Sequence, residues 1–151
     1  MSDCSCSDFA ATVRSYVGTP YVDQGRVPGA SGGMDCPGPI ILAAREHGLV
    51  LPTFDVTGYS RAADGHSLQA LCERHMQRIA SDEMHEGDVV LVRFNGGLPQ
   101  HLGVLVDATP DGRRYWVHAE SCRYKAVIYS RLMFGPRLMQ LVAAYRVPGV
   151  V

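Results

Sequence analysis

Residues 34–48, MDCPGPIILAAREHG, place a cysteine at the start of an apolar helical pattern. Pro37 suits the first position of a helix and Gly48 is a stop signal, so a helix is predicted from Cys36 to His47. At that position, unpaired backbone N–H groups and the helix dipole favour an anion. The pattern therefore predicts a thiol with a lowered pKa, and a structural cysteine that caps a buried helix is the alternative.

The N-terminal half of the 151-residue chain reads as helices joined by loops. An apolar stripe predicts a first helix over residues 7–17, after a tail of residues 1–7 that is either flexible or docked. Five glycines between residues 18 and 33 indicate tight turns or a close approach of backbone segments. A third helix is predicted from Ser67, which serves as its cap, and Cys72 is expected to be a buried apolar residue within it.

The C-terminal half changes to the apolar runs and turn signals of antiparallel strands. Helices followed by strands predict an α+β fold, with the N-terminal helices packed on an antiparallel sheet of five or six strands. No linker or repeat divides the chain, so a single domain over residues 1–151 is expected, with Trp116 in its core. Strands are predicted at residues 89–94, 102–107, 115–119, 126–129 and 138–147.

Two histidines, His101 and His118, flank one predicted hairpin. If Asp107 pairs with Gly112 across the turn at residues 108–111, His101 lies directly opposite His118 and both imidazoles point to one face. Directly opposed residues have Cβ atoms about 4.5–5.5 Å apart, close enough for one ring to orient the other. A slip of one residue would place the rings on opposite faces. Each histidine alone is more often structural, but beside a candidate thiolate the pair would supply a base and its orienting group.

Five short motifs occur in a fixed order along the chain. Each motif alone is weak, but the ordered set resembles the NlpC-like cell-wall cysteine peptidases, a branch of the papain-like fold. The resemblance extends from about Gly18 to Tyr145 and implies the same arrangement of helices on an antiparallel sheet. The motifs are Gly18-Thr19-Pro20-Tyr21, Met34-Asp35-Cys36-Pro37-Gly38, Glu86-Gly87-Asp88-Val89-Val90-Leu91, His101-Leu102-Gly103-Val104 and His118-Ala119.

The resemblance also implies roles for individual residues. Cys36 would be the nucleophile, His101 its base and His118 the residue that orients this base. Tyr21 would lie beside the thiol as a binding or oxyanion group, while Asp35 is expected to cap the helix or to steer substrate amines. Enzymes of this kind hydrolyse amide bonds in peptidoglycan stem peptides, often after γ-linked D-glutamate. They use no metal, and no cofactor is expected here.

One residue departs from the family's motif. Pro37 stands where the family has serine, which removes one N–H at the helix start, although the N–H of Cys36 remains for an oxyanion. The departure keeps open a second interpretation, a catalytically weak or inactive structural component of a tail or secretion machine. A third is an amide-forming or lipid-acyl transferase, because nucleophiles other than water can attack a thioester.

Composition and charge narrow the classes of partner. A net charge of −1 without a dense basic cluster argues against nucleic-acid binding. No apolar run reaches the ~18 residues of a membrane span, so no membrane insertion is expected. The five cysteines form neither an even disulfide set nor a metal-ligand spacing. The expected partners are a peptidoglycan stem peptide and proteins of a tail or secretion machine.

The first residues of the chain bear on where the protein acts. Met1 to Cys6 contain neither the basic nor the apolar segment of a signal peptide. Synthesis in the cytoplasm and delivery to the cell wall by a phage or phage-like tail, or by a secretion apparatus, is therefore expected. The segment from Phe54 to His75 and residues 144–149 are similar to tail-associated members, which favours a tail-tip peptidoglycan hydrolase.

Overall fold

The computed structural model describes residues 3–59 and 64–151, and all bounds below refer to these residues. The helices are α1 Cys6–Arg14, α2 Gly38–Glu46 and α3 Ser67–His75, with a short 3-10 helix at Ser81–Glu83. The strands are β1 Arg26–Val27, β2 Gly33–Met34, β3 Gln77–Ile79, β4 Val89–Phe94, β5 Pro99–Ala108, β6 Arg114–Glu120, β7 Ala126–Leu132 and β8 Met139–Arg146.

Six strands form one antiparallel sheet in the order β3-β8-β4-β5-β6-β7, while β1 and β2 form a separate two-stranded ribbon. Helix α1 packs on β5 and on α2, and α3 also contacts β5. Helices therefore lie on a six-stranded antiparallel sheet, which confirms the α+β prediction. No helix in the described part of the chain is long and apolar enough to cross a membrane.

The central strands bury apolar side chains on both of their faces. Alternate residues such as Val89 and Leu91 join the core beneath the helices, whereas Val90 and Val92 belong to a second cluster. Trp116 lies in this second cluster with only 1% of its surface exposed, which confirms the expected core position. Burial on both faces explains why β4 reads as a continuous apolar run rather than as an alternating one.

Two helices begin differently from the sequence prediction. Helix α2 starts at Gly38 rather than at Cys36, because Pro37 is its N-cap residue and Ile41 N–H makes a bond of 3.1 Å to the Pro37 carbonyl. Ser67 is the first residue of α3 and not its side-chain cap. The carboxylate of Asp64 takes that role, since its Oδ1 accepts from the N–H groups of His66 and Ser67 at 3.0 and 2.8 Å.

Other boundaries differ at the ends of the elements. Helix α1 ends at Arg14 rather than at Val17, because Tyr16 and Val17 continue as 3-10-like turns with bonds to Val13 and Arg14. The edge strand β3 was not expected, since its mostly exposed residues lack an apolar alternation. Its pairing with β8 gives the sheet its sixth strand. Cys72 is buried at 2% exposure, as expected.

The N-terminal residues are docked against the C-terminus. Cys4 N–H donates to the Gly149 carbonyl at 2.8 Å, and Val151 N–H donates to the Cys4 carbonyl at 2.9 Å. Helix α1 already begins at Cys6, where the Ser5 hydroxyl caps it by accepting from an N–H of the first turn. Of the tail expected over residues 1–7, the described part from residue 3 onward is therefore bound to the fold.

The predicted register of the β5–β6 hairpin is wrong by three residues at the turn and by two residues near the histidines. Asp107 pairs with Tyr115 rather than with Gly112, and Val104 pairs with Val117, so His101 and His118 are not directly opposite. The turn over residues 109–113 takes up more chain than expected, and a register shift between Leu105 and Asp107 inserts an extra residue. Near the histidines the net slip is even, so both imidazoles still point to one face.

The Gly-Asp motif before β4 has a structural role. Asp88 has no exposed surface and accepts from Arg146 Nε and Nη2, both at 2.8 Å. Its Oδ2 also accepts from His85 N–H at 2.9 Å. A buried carboxylate with three donors is satisfied, and this one fixes the start of β4 to the end of β8.

Candidate active site

A cleft of about 570 Å³ lies where the start of α2 meets the ends of β5 and β6. The turn before α2 brings Cys36 to this cleft, and the two strands bring His101 and His118. All five residues singled out from the sequence line it, since Tyr21 and Asp35 are also in its wall. The other residues of the wall are Asp23, Tyr59, Leu68, Phe94, Gln100, Ala119, Glu120, Ser121 and Cys122.

Cys36 is half-buried in the turn that precedes α2. Burial raises the pKa of its thiol to about 12, and the neighbouring Asp35 carboxylate acts in the same direction. Hydrogen bonds from the backbone N–H groups of Leu102 and of Cys36 itself lower this pKa but do not offset the burial. The expectation of a lowered pKa is therefore wrong, because burial of the thiol outweighs the N–H groups near it.

The two histidines are joined by a short hydrogen bond. His101 Nε2 lies 2.7 Å from His118 Nδ1, and His118 Nε2 lies 3.1 Å from the Ser130 hydroxyl oxygen. Because His101 uses Nε2 in this contact, Nδ1 is the nitrogen that remains for the Cys36 proton. The register error therefore leaves the predicted contact between the two histidines intact.

The chain of contacts allows one consistent set of proton positions for catalysis. For His101 to accept at Nδ1, its own proton must be on Nε2, from which it donates to His118 Nδ1. His118 then carries its proton on Nε2 and donates to the Ser130 oxygen. These proton positions are the ones that the predicted roles require, with His101 as a base and His118 as the residue that orients it.

Both imidazoles are held in the neutral form. Burial lowers the pKa of His101 to about 3, and the neighbouring His118 acts in the same direction. Burial likewise lowers the pKa of His118 to about 4. The carboxylate of Glu120 raises both values but is the smaller effect. Burial thus favours the neutral forms of the Cys36 thiol and of the His101 imidazole over a thiolate–imidazolium pair.

The depressed histidine pKa values predict a loss of stability in acid. Because the folded-state values of about 3 and 4 lie below the ordinary 6.5, both groups stabilise the fold fully only above about pH 6.5. The free energy of unfolding should fall as the pH decreases from about 6.5 toward 4. Urea unfolding at a series of pH values measures this slope.

A pair of variants tests the origin of that slope. His118→Gln should flatten it, since one of the two buried groups no longer titrates. His66→Gln is the matched control, because the His66 side chain is 80% exposed. Equal slopes for wild type and His118→Gln would contradict the assignment.

Asp35 is held in a buried network and does not cap α2. Its Oδ1 accepts from Arg26 Nη1 at 2.7 Å, and its Oδ2 accepts from Gln24 N–H at 2.8 Å and from the Tyr59 hydroxyl. Helix α2 has no side-chain cap. The expected capping role is therefore wrong, because the carboxylate is turned toward the glycine-rich loop. Its bonds fix the backbone immediately before Cys36.

Arg26 ties this network to the segment that follows α2. Its Nε donates to Asp55 Oδ1 at 2.9 Å, and its Nη2 donates to the Tyr59 hydroxyl at 2.9 Å. The side chain is only 10% exposed, so its charge is compensated by Asp35 and Asp55 together. The network therefore stabilises one wall of the cleft, and the Arg26 guanidinium within it is paired with carboxylates.

Backbone pairing holds Tyr21 in the wall of the cleft. Its N–H donates to the Lys125 carbonyl at 2.8 Å, and it forms a parallel bridge with Met34, two residues before Cys36. The backbone of this loop approaches closely at its glycines: a Cβ on Gly33 would lie 2.3 Å from Cγ2 of Val22. Tyr21 thus lines the same cleft as Cys36, and its role as a binding or oxyanion group stays a prediction.

Aromatic rings surround the two histidines. Trp116 stacks on His118 at 4.2 Å between ring centroids, and it meets His101 edge-on at 5.6 Å. Phe94 lies 5.8 Å from His101 on the cleft side. These contacts remove water from the imidazoles, which is the physical reason for their low pKa values.

Gly103 makes room for this ring stack. A Cβ at Gly103 would lie 2.2 Å from Cε3 of Trp116 and 3.0 Å from Cβ of His118. Gly103→Ala should therefore destabilise the protein by about 1–3 kcal/mol and displace His118, with a parallel loss of activity. The single tryptophan reports the displacement directly through its fluorescence.

The matched control for that variant is Gly135→Ala. Its Cβ would meet only the flexible end of Leu138, at 3.3 Å. We expect a change below about 0.5 kcal/mol for this control. Unaltered tryptophan emission and stability in Gly103→Ala would contradict the role given to the glycine.

Several residues of the site were not found from the sequence. Arg26 lies in the two-residue strand β1 and Tyr59 in a loop, both too short of regular pattern for spacing to carry a signal, and Phe94 ends a strand as an ordinary apolar residue. The position of Ser130 follows from strand alternation. It lies two residues after Ile128, which pairs with His118, so Ser130 and His118 share one face of the sheet. This alternation can be used only with the β6–β7 register, which the folded structure provides.

No metal cluster is found at the site. Within the two described ranges, no group of three or more histidine, cysteine, aspartate or glutamate side chains has the geometry to hold a metal ion. The arrangement of a thiol, a neutral imidazole and a second imidazole is suited to nucleophilic acyl transfer.

Comparisons with known proteins bear on the family and the fold of the chain. A model of the NlpC/P60 family matches residues 18–142. The structure of NlpC1 from Trichomonas vaginalis gives a TM-score of 0.64 at 21% identity, over 94% of this chain and 44% of that one. NlpC2 from the same organism gives 0.63 at 18% identity, over 97% and 48% of the respective chains.

A third solved structure gives the same picture. An NlpC/P60 family protein from Bacillus cereus ATCC 10987 has a TM-score of 0.63 at 17% identity, over 96% of this chain and 41% of that one. The chain thus spans less than half the length of these three proteins, and the likeness shows a shared fold. No curated protein sequence matches the chain significantly. With the family match covering most of its length, the chain belongs to the NlpC/P60 family, whose members are generally cell-wall peptidases.

Proposed function

We propose that the protein is a cysteine endopeptidase that hydrolyses amide bonds in peptidoglycan stem peptides. One observation carries the proposal: Cys36 lies in the same cleft as a hydrogen-bonded pair of histidines. The family's general activity supports the choice of substrate. No metal or other cofactor takes part in the proposed reaction.

The proposed reaction starts from neutral partners. The Cys36 Sγ attacks the scissile carbonyl carbon while its proton moves to Nδ1 of His101, so that thiolate and imidazolium form only as the bond is made. The tetrahedral intermediate then expels the amine, which takes the proton from His101 and leaves a thioester. Backbone N–H groups at the start of α2 are suited to the oxyanion, with the N–H of Cys36 as the nearest.

Hydrolysis of the thioester restores the enzyme. A water molecule attacks the thioester carbonyl while His101 removes its proton, and the C–S bond then breaks. The proton returns from His101 to the departing sulfur, and the carboxylic acid leaves. Burial disfavours a preformed thiolate–imidazolium pair, which supports this general-base route.

The charge of the cleft supports a substrate with an amino group. Its described lining includes the carboxylates of Asp23 and Glu120, and it contains no lysine or arginine. The third carboxylate, Asp35, is already paired with Arg26. A cationic group on a stem peptide would therefore be drawn to the side of the cleft near Asp23 or Glu120.

Delivery by a phage or phage-like tail, or by a secretion machine, remains our proposal for how the enzyme reaches the wall. It rests on the sequence resemblance alone. Within the segment from Phe54 to His75, residues 60–63 lie outside the described residues.

A catalytically weak assembly component is the competing function. Pro37 favours it, because its missing N–H leaves one donor fewer at the start of α2. Transfer of the acyl group to an amine or a lipid, instead of to water, is distinguished by the product. The assembly component predicts no hydrolysis, and the transferase predicts a product without added water.

The proposal is tested by digesting purified peptidoglycan with the full chain. Mass spectrometry of the soluble fraction should show stem-peptide fragments that carry one added water per cleaved amide bond. A substrate whose amino groups are acetylated should be cleaved more slowly, because the attraction to Asp23 and Glu120 is lost. An unchanged peptidoglycan profile at high enzyme concentration would reject the peptidase function in favour of the assembly component.

A further inference from the structure

We infer that Ser130 is a positioning residue, whose hydroxyl oxygen receives the Nε2 proton of His118 and so holds the two histidines in the tautomer that catalysis needs. The inference deepens the proposed function and rests on it. It adds a fourth member to the chain that begins at Cys36 and passes through His101.

The β6–β7 register places Ser130 at this position. Trp116 pairs with Ser130 and His118 pairs with Ile128, so Ser130 shares the face of the sheet that carries the indole and the imidazole. Diagonal neighbours on one face of an antiparallel pair are within reach of long side chains. The ring of His118 spans this diagonal, and its Nε2 lies 3.1 Å from the Ser130 oxygen.

The proton positions during attack require an acceptor at this place. Once His101 has taken the thiol proton, it donates through both of its ring nitrogens. His118 must then accept at Nδ1, so its own proton is on Nε2 and points at Ser130. If His118 instead carried its proton on Nδ1, His101 would have to accept at Nε2 and would carry its proton on Nδ1, which blocks the base.

The surroundings of His118 leave this task to Ser130. The imidazole is only 9% exposed and lies against the indole of Trp116, which offers no acceptor for an in-plane N–H. The nearby Glu120 carboxylate already accepts from backbone N–H groups, including that of Arg123 at 2.9 Å. A buried imidazole N–H without an acceptor is costly, so loss of the hydroxyl should disturb the tautomer rather than the fold.

Three variants separate positioning from a structural role. Ser130→Ala removes the acceptor, Ser130→Thr keeps it, and Tyr129→Phe removes a hydroxyl from the next residue, which is exposed and bonded to Asp107 on the other face. We expect Ser130→Ala to lower kcat about tenfold with KM within about twofold, Ser130→Thr to recover most of the rate, and Tyr129→Phe to match wild type.

A spectroscopic measurement makes the test independent of hydrolysis. The ¹⁵N shifts of the His118 ring at neutral pH distinguish a proton on Nε2 from a proton on Nδ1. Wild type and Ser130→Thr should show mainly the Nε2–H form, while Ser130→Ala should show a mixture. The same spectra can be recorded even if no stem peptide is cleaved, so failure of the proposed function would be seen separately.

Two results would overturn the inference. One is a His118 tautomer that is the same in wild type and Ser130→Ala. The other is a loss of kcat in Ser130→Ala that Ser130→Thr does not restore.

Discussion

Replacing Cys36 with alanine is expected to lower kcat/KM for a stem peptide by about 10⁴-fold or more. The thiol lies just before α2 and lines the same cleft as the histidine pair. Without it no thioester forms, and His101 alone cannot replace the missing covalent step. The fold should be retained, because Cys36 is half-buried and its truncation leaves the Asp35 network intact.

Cys122 provides the matched control for this variant. It is exposed, lines the same cleft and is also a free cysteine. Cys122→Ala should keep wild-type kcat within about twofold, since its exposed Sγ contacts the Ser121 hydroxyl at 3.8 Å and does not lie at the start of α2. Hydrolysis that survives in Cys36→Ala and is lost in Cys122→Ala would contradict the assignment of the nucleophile.

Replacing His101 with glutamine is expected to lower kcat about 10³-fold, with a smaller effect on KM. A neutral thiol whose pKa is raised to about 12 needs a base to become nucleophilic at neutral pH, and an amide cannot accept the proton. The substitution removes general-base catalysis from both halves of the reaction. Steady-state kinetics and the rate of thioester formation in a single turnover measure the two halves separately.

The loss of kcat in His118→Gln is to be compared with the loss in His101→Gln. Glutamine can still offer an oxygen to His101 Nε2–H, so we expect a loss of only about 10- to 100-fold. If His118→Gln were as damaging as His101→Gln, the roles of base and orienting residue would have to be reconsidered. Circular dichroism of both variants confirms that the comparison is made between folded proteins.

The parts of the site that could be predicted from sequence were those carried by local patterns. Cys36 follows a glycine-rich loop and precedes an apolar helical pattern, which predicts that α2 begins at Cys36. The observed helix begins two residues later, at Gly38. His101 and His118 could be paired because they flank one hairpin. Even with the wrong register, the parity of the strands kept both rings on one face.

The predictions for the pKa of Cys36 and for the role of Asp35 were wrong, because both depend on burial and on long-range contacts, which local sequence patterns do not contain. The pKa of Cys36 follows from how much water the folded cleft removes, and burial there outweighs the favourable N–H groups. Asp35 was expected to cap α2, but Arg26 and Tyr59 reach it from segments with no regular spacing. Long-range partners of this kind can be identified only once the chain is folded.

The fold could be predicted from the sequence more completely than the site. Strands β4 and β8 are long apolar runs and were expected close to their observed bounds, whereas β3 is a short polar edge that exists because β8 offers it a partner. Its presence is a property of the neighbouring strand rather than of its own residues.

The most direct test of the account is to identify the thiol that reacts with a substrate-like electrophile. A stem-peptide analogue with a chloromethyl ketone at the scissile carbonyl would be incubated with the full chain, and the adduct located by peptide mass mapping. We predict one adduct, on Cys36, that forms much more slowly in His101→Gln and is absent in Cys36→Ala. An adduct mainly on Cys122, or labelling of Cys36 at the same rate with and without His101, would contradict a Cys36–His101 active site.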